Sequence, residues 1–496
     1  MSAARRRRPQ ADSEALVIGG RQLLGALGQH CPPGDRDVLE ALEAALAPPD
    51  AQRTWLALAV LGRSLPESGD VVRTLRRARL SGVVPALAEA LADSGRLGPG
   101  PPAEVVTGRV LVDVHHTSVT SFSTGIQRVV RETVNRWRRH EDMLLVGWTP
   151  GYSGLRRLDD DEIRWVLDGP PPAPGRPAAP AHGRAELGRG ILVPWDCTVI
   201  VPELAAEAER ASRYQALARH SNSRTGVIGY DCVPLMASET SAEGMAGAFA
   251  RYLAGAAHFD RLAAISDAAA AEYEGWRAML AGSGRRGPQV RAVSLGVERR
   301  VPSEASMKEA RRLLTVDGLP MVLAVGSHEP RKNHLAVLQA AEMLWREGLE
   351  FTLTFVGGNS WKSDAFNAQV LLLQGMNRPV QTVVALSDDL LWAAYAVAYC
   401  TVFVSVHEGF GLPVAESLAS GTPVVTSCFG SMAEIADGGG ALCVEPGDDR
   451  AVAGALRRLL RSEAFRQRLA QEAARRTWRK WDDYASEVWD FLTQAT

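Results

Sequence analysis

The sequence has little lysine, no paired cysteines and no long hydrophobic run. Lys308, Lys332, Lys362 and Lys480 are the four lysines among 55 basic residues, so arginine carries almost all of the positive charge. The six cysteines, Cys31, Cys197, Cys232, Cys400, Cys428 and Cys443, are scattered with no C-x-x-C spacing. That excludes zinc-type ligand spacing and a secreted disulfide framework, and fits a reducing compartment. Apolar stretches such as TWLALAVLG, from Thr54 to Gly62, fall below the roughly 20 residues that cross a bilayer. Basic and acidic residues nearly cancel, at 55 against 57, which leaves no general basic surface for nucleic acid. G-x-x-x-x-G-K-[ST] is absent and no strand-like segment leads into G-x-G-x-x-G, which weakens kinase and dehydrogenase readings.

The first ten residues, MSAARRRRPQ, place Arg5 to Arg8 ahead of no apolar segment. They read as a solvated basic tail rather than a secretory signal. The expected location is cytoplasmic, with peripheral contact at the inner face of the cell membrane, through anionic lipid, as the alternative.

With 496 residues, 46% of them hydrophobic, the chain is long enough for about three domains. Residues 1–98 carry apolar positions at spacings of three and four and read as a helical module, with the basic tail at 1–10. Residues 99–107, rich in Gly and Pro, read as a linker. Beyond it, RVLVDV, MLLVGW, ILVP, GVIGYD and LAAIS alternate with helical segments, one of them running from about Gly125 to Arg139. A second series follows in MVLAVG, FTLTFVGG, VQTVVAL, TVFVSV, PVVTS and ALCVEP. The expectation is an α/β chain with two doubly wound, Rossmann-like domains, at 108–300 and 301–477, facing across a cleft, and a last helix at 478–496. The Pro-rich stretch Gly169–Gly190 and the acidic run DDDE at Asp159–Glu162 both read as solvated loops.

Two segments carry chemistry. GSHEPRKN, from Gly326 to Asn333, places Arg331 and Lys332 at a strand end just before a helix, where cations are electrostatically misplaced and require an anion. An ammonium beside a forked guanidinium suits two points of contact on a diphosphate. VHEGFGLPVAESLASGTPVV, from Val406 to Val425, closes a strand at Glu408, opens close approach at Gly409 and Gly411, and starts a helix at Pro413 with Glu416 on it. Backbone amides there can meet phosphate or sugar oxygens while the two carboxylates accept hydroxyl hydrogen bonds, and a sugar nucleotide offers both.

E-G-F-G-L-P-V-A-E resembles the E-x7-E motif of retaining glycosyltransferases of family 4, which have the GT-B fold. SHEPRKN, SGTPVVTSCFGSMAEIA, VDVHHTSVTSFSTGIQRVV, IGYDCVPL and AISDAAAAEY resemble further segments of that family, so the likeness covers residues 108–496. It implies that Arg331 and Lys332 neutralise the donor diphosphate, beside Gly326, and that Glu416 binds the ribose hydroxyls. Glu408 would face the donor sugar, and the backbone of Phe410, Gly411, Leu412 and Pro413 would line it. Gly125 would line the cleft from the other domain, and the last helix would cross back onto that domain. Tyr230 and Asp231 stand where many relatives have His and Asp near donor and acceptor, and a phenol is a poor base at neutral pH. His115, His116, Ser266 and His407 are further cleft candidates.

The resemblance thus implies a retaining transferase moving a hexose, with GDP-mannose the favoured donor, to a glycan, lipid-linked or small-molecule acceptor. Glu408, Arg331, Lys332 and Asp231 would be its catalytic set. No cofactor, metal or nucleic acid is expected. The helical module is a candidate for protein contacts or oligomerisation. The alternative is a non-catalytic sugar-nucleotide-binding or scaffold protein of the same fold that recruits partners through that module.

Overall fold

The computed structural model describes residues 16–94, 101–120, 124–169, 190–316, 318–384 and 386–494. The basic tail and nearly all of the Pro-rich stretch lie outside the described residues. Helices at 16–26, Asp35–Ala45, Ala51–Gly62, Ser68–Ser81 and Val83–Asp93 build the amino-terminal module. The Ala51–Gly62 helix starts where the Asp50 carboxylate accepts from Arg53 N at 2.8 Å. Every residue from Thr54 to Gly62 is buried, because a helix that is apolar all round must be covered on all sides. Part of that cover is the next domain. Leu65 N donates to Ser153 O at 2.8 Å, and Arg213 Nε donates to Leu65 O at 3.1 Å. Trp55, Leu61 and Leu87 share one apolar core with Leu111, Val199 and Leu262.

The module is therefore fused to its neighbour, and the stretch 99–107 is not purely a linker. Its residues Glu104–Val106 form strand β1, paired in parallel with β5, Leu192–Pro194. Val106 is buried in the common core, and its neighbour Val105 packs against that core.

The first sheet continues with β2 (Val110–Asp113), β3 (Met143–Trp148), β4 (Leu155–Arg157), β6 (Thr198–Val201), β7 (Arg224–Gly229), β8 (Arg261–Ala264) and β9 (Gln289–Ala292). Its order is β1-β5-β4-β3-β2-β6-β7-β8-β9, with β4 antiparallel to its neighbours. The second sheet contains β10 (Met321–Val325), β11 (Thr352–Val356), β12 (Val380–Val383), β13 (Cys400–Phe403), β14 (Val424–Ser427) and β15 (Ala441–Val444). All its pairings are parallel, in the order β12-β11-β10-β13-β14-β15. Strand order reverses between β10 and β13, and the carboxyl ends of those two strands are where such a sheet takes a ligand.

The acidic run at Asp159–Glu162 is not a solvated loop. Asp159 caps the helix Asp160–Asp168, and Glu162 is fully buried, held by both terminal nitrogens of Arg156 at 2.5 and 2.7 Å. A buried guanidinium in need of a partner took one carboxylate out of the run. The last helix, Trp481–Thr493, lies on the amino-terminal domain. Trp137 Nε1, from the helix Gly125–His140, donates to Ala485 O at 2.7 Å, and Tyr484, Val488 and Phe491 are buried beneath it.

Candidate functional site

Strand β10 ends at Val325 and is followed by Gly326, whose φ of 149° suits glycine and whose amide donates to Val356 O at 2.9 Å. The chain then makes a single 3-10 turn, Pro330–Lys332. Asn333, with φ 57°, fixes the turn by donating its side-chain amide to Val404 O and Pro446 O, at 3.2 and 2.7 Å. This turn points both cations inward. Lys332 Nζ lies 2.6 Å from one oxygen of Glu408 and Arg331 Nη1 lies 2.7 Å from the other. Arg331 also holds Glu329 at 2.5 Å and donates to His407 O at 2.9 Å. The anion that the misplaced cations require is thus, in this structure, the chain's own Glu408. Burial raises the Glu408 carboxyl, but Arg331 and Lys332 outweigh it and hold it at about 2. Burial lowers the Lys332 ammonium against the attraction of Glu408.

Glu408 follows β13 on the loop that enters the helix Leu412–Ala419. Ser431 Oγ donates to its carbonyl at 2.8 Å. Gly411, at φ 98°, lets the loop turn into the helix, and a Cβ there would crowd Met432 at 3.3 Å. Among the described residues no protein acceptor meets the amides of Phe410, Gly411 and Leu412, as expected of a helix start open to an anion. One turn on, Glu416 is 3% exposed. One of its oxygens accepts from Tyr395 OH at 2.9 Å, and the other is paired with Arg128 of the amino-terminal domain.

The segments after β7 and β8 form the opposite wall. Gly409 approaches so closely that a Cβ would stand 2.3 Å from Tyr230 O and 3.0 Å from Asp231 Oδ2. Ser266 caps its helix by accepting from Ala269 N at 3.0 Å and also donates to Gly409 O at 2.6 Å. His407 Nε2 pairs with Glu272 at 2.6 Å, which raises the imidazole. Asp231 is raised by burial, with Arg331 opposing the shift. At another point of the interface, Trp361 Nε1 donates to Thr240 O at 2.9 Å and Lys362 Nζ to Glu239 O at 3.0 Å.

Two expected cleft residues are placed otherwise. The Tyr230 phenol is buried and donates to Pro202 O at 2.6 Å, away from Gly409, and burial pushes its pKa well up. The space its ring takes lies inside the domain core, so the phenol does not stand in for an imidazole. His115 is buried against Trp148, whose amide its Nδ1 accepts at 3.2 Å, and burial drives its pKa to about 3. It is a neutral packing residue. His116 pairs with Glu207 at the rim of a buried charge network. There Arg210, with no exposure, meets Asp113 at 2.7 Å and Glu203 at 3.0 Å. Gly125 is exposed in the first turn of the helix Gly125–His140. Ser266 and His407 spend their side chains on interdomain bonds.

Sequence reasoning missed Arg128, Tyr395, Glu329 and Glu272. Arg128 had a usable signal. It lies within TGIQRVV in the first turns of a helix, the same electrostatic mismatch that singled out Arg331 and Lys332. Tyr395 sits on the helix Asp388–Val397 with no motif around it, and Glu272 lies within the AISDAAAAEY segment, where nothing local singles it out. The described residues contain no group of three or more His, Cys, Asp or Glu arranged to hold a metal ion, and no helix among them is long and apolar enough to cross a membrane.

Two doubly wound domains that meet at the carboxyl ends of their strands, with a charged cluster between them, define the GT-B fold. The solved Anabaena HepE, in complex with UDP and glucose, superposes with a TM-score of 0.54 at 12% identity, over 78% of this chain and all of that one. Residues 307–476 match the family Glycosyl transferases group 1. The serotype-specific mannosyltransferase WbdA of Escherichia coli is 28% identical over 342 residues, 66% of this chain. The O-antigen chain mannosyltransferase B of the same species is 31% identical over 147 residues, covering 29% of this chain and 38% of its own. Residues 307–476 thus match the glycosyl transferases group 1, and the wider chain is similar to bacterial mannosyltransferases. It spans 40% of the length of WbdA.

Proposed function

We propose that the protein is a retaining glycosyltransferase that moves a hexose from a nucleotide diphosphate sugar, GDP-mannose foremost, to a hydroxyl-bearing acceptor. The observation that carries the proposal is the convergence of Arg331 and Lys332 on Glu408 at the strand-order reversal of the second sheet. Two cations spaced for a diphosphate are held inward on a braced turn, and the helix start at Leu412 adds amides without a protein acceptor. The mannosyl assignment rests on WbdA and O-antigen chain mannosyltransferase B, both named for that sugar.

In this reading the donor diphosphate replaces Glu408 on Arg331 and Lys332, and the freed carboxylate accepts hydrogen bonds from the sugar hydroxyls. As the bond from the anomeric carbon to the phosphate oxygen breaks, the two cations stabilise the charge gathering on the leaving diphosphate. The acceptor oxygen attacks from the same face and forms the new glycosidic bond, and its proton passes to a phosphate oxygen of the leaving group. Asp231, half-buried near Arg331, helps to keep that guanidinium charged. The reaction needs no metal, because Arg331, Lys332 and the helix start serve the leaving group.

A thermal-shift panel of UDP-, GDP- and dTDP-sugars on the full chain, followed by NMR of the product's anomeric configuration, tests this reading. Stabilisation by GDP-mannose and an α-linked product are expected. An inverted product, or no shift with any sugar nucleotide, overturns it.

A further inference from the structure

Glu416 is the most buried carboxylate of the donor site, at 3% exposure, and neither of its oxygens is idle. Tyr395, from the same domain and itself buried, donates to one at 2.9 Å. The other is held by Arg128, which comes from the opposite domain, 288 residues away in sequence. Arg128 sits just inside the start of the helix Gly125–His140, where the helix field disfavours a cation. Two further carboxylates stand near it, Glu132 and Asp388, but both are already engaged by Arg300, at 3.5 and 3.0 Å. Arg128 therefore depends on Glu416, and its side chain keeps 27% exposure.

Under the proposed function Glu416 accepts hydrogen bonds from the ribose hydroxyls of the donor. A buried carboxylate already paired with a guanidinium cannot give the same oxygen fully to a ribose. We infer that Arg128 is a positioning residue that occupies the ribose-binding oxygen of Glu416 when the donor site is empty, so that nucleotide binding and release exchange an interdomain ion pair for a ribose contact. This inference rests on the donor-site reading and adds a residue from the amino-terminal domain to nucleotide recognition. The exchange links ribose binding to the contact between the two domains, since each nucleotide that enters must release Arg128 and each that leaves must restore it.

The test is calorimetric titration of the full-length chain with GDP and with 2′,3′-dideoxy-GDP, repeated with UDP and its dideoxy form. Wild type, R128Q, R128K, E416Q and the R128Q/E416Q double variant are compared, each after a thermal melt has shown that it is folded. R128Q is expected to bind the ribonucleotide about three- to tenfold more tightly and the dideoxynucleotide unchanged. R128K, which keeps the charge, should return most of the way to wild type. E416Q should bind the ribonucleotide about tenfold more weakly, and adding R128Q to it should change nothing further. If R128Q weakens both nucleotide forms alike, Arg128 is a phosphate contact and the inference falls. If R128Q leaves ribonucleotide affinity unchanged while E416Q lowers it, Arg128 does not compete, and the inference falls while the donor-site reading stands. If E416Q changes neither form, the ribose assignment of Glu416 fails and takes the inference with it.

Discussion

The Lys332 ammonium and the Glu408 carboxylate lie 2.6 Å apart on loops from different strands of one sheet, and Arg331 closes on the second oxygen of the same carboxylate. The candidate donor site is thus charge-balanced by its own residues, and under the proposed function a diphosphate enters by substitution rather than by filling an uncompensated positive field. Lys332→Ala removes one of two cations and leaves Glu408 paired with Arg331, so the fold should survive. Turnover should fall by about 10²- to 10³-fold, the usual loss when one preorganised charge-stabilising group is removed. Lys332→Arg should not restore it, since a planar fork cannot occupy the place of a compact ammonium. Nucleotide diphosphate release from the donor measures this, and unchanged turnover would refute the diphosphate assignment.

The pair of His407 with Glu272 makes part of the domain contact sensitive to pH. Donation of a hydrogen bond to the Glu272 carboxylate raises the imidazole above its usual 6.5. A group raised on folding contributes stability that is complete below its unfolded pKa and is lost as pH climbs through the folded value. The difference in unfolding free energy between wild type and His407→Gln should therefore be largest below about pH 6.5 and shrink at alkaline pH. Denaturant titrations at pH 5.5 and 9 give the comparison, and a difference that grows with pH would have the wrong sign.

What could be read beforehand followed the length and density of local signals. The loop from Glu408 to Glu416 was legible because a strand, two glycines, a proline and a helix succeed one another within a few residues. The strands β1, β4 and β9 were not, because β1 follows a Gly- and Pro-rich stretch and at least half the residues of β4 and β9 are polar, and the four-residue β6 carried no signal of its own. Glu162 looked like one charge in a solvated run, since its partner Arg156 identifies itself only once β4 has turned back on β3. Arg128 and Glu416 lie far apart in sequence, and no local pattern encodes such a pairing. The apolar stretch Thr54–Gly62 of the helix Ala51–Gly62 was visible, but the sequence does not say that part of its cover comes from the neighbouring domain.

That shared cover decides the fate of a truncation. Deleting residues 1–98 removes Trp55, Leu61 and Leu87 from a core that also contains Leu111 and Val199, and leaves Arg213 without the Leu65 carbonyl it bonds. Burying a large apolar side chain is worth about 1.5 to 3 kcal/mol, and several are lost at once against a total stability of roughly 5 to 15 kcal/mol. The truncated chain is expected to aggregate, or to melt far below the intact protein, in light scattering and thermal melts. A monodisperse truncated protein with the same melting temperature would show that the module contributes no core to its neighbour.

Gly409 offers a way to separate domain contact from charge. It lies on the second-domain loop, and a methyl group at its Cα would stand 2.3 Å from Tyr230 O across the interface. The obstacle is backbone on the far side, which cannot swing away as a long side chain can. Its own carbonyl is held by Ser266 Oγ at 2.6 Å, so the loop cannot retreat without losing that bond. Gly409→Ala should therefore push the domains apart, at a cost of about 1 to 3 kcal/mol for overpacking, while the individual domain cores keep their packing. Lys332, Arg331 and Glu408 remain paired within one domain, so nucleotide diphosphate affinity should change little. Under the proposed function transfer needs both walls, and kcat should fall at least about tenfold, because small displacements of reacting groups are costly. Small-angle scattering should show a larger radius of gyration for the variant. Wild-type turnover with an unchanged scattering curve would mean that the close approach at Gly409 has no part in the working enzyme.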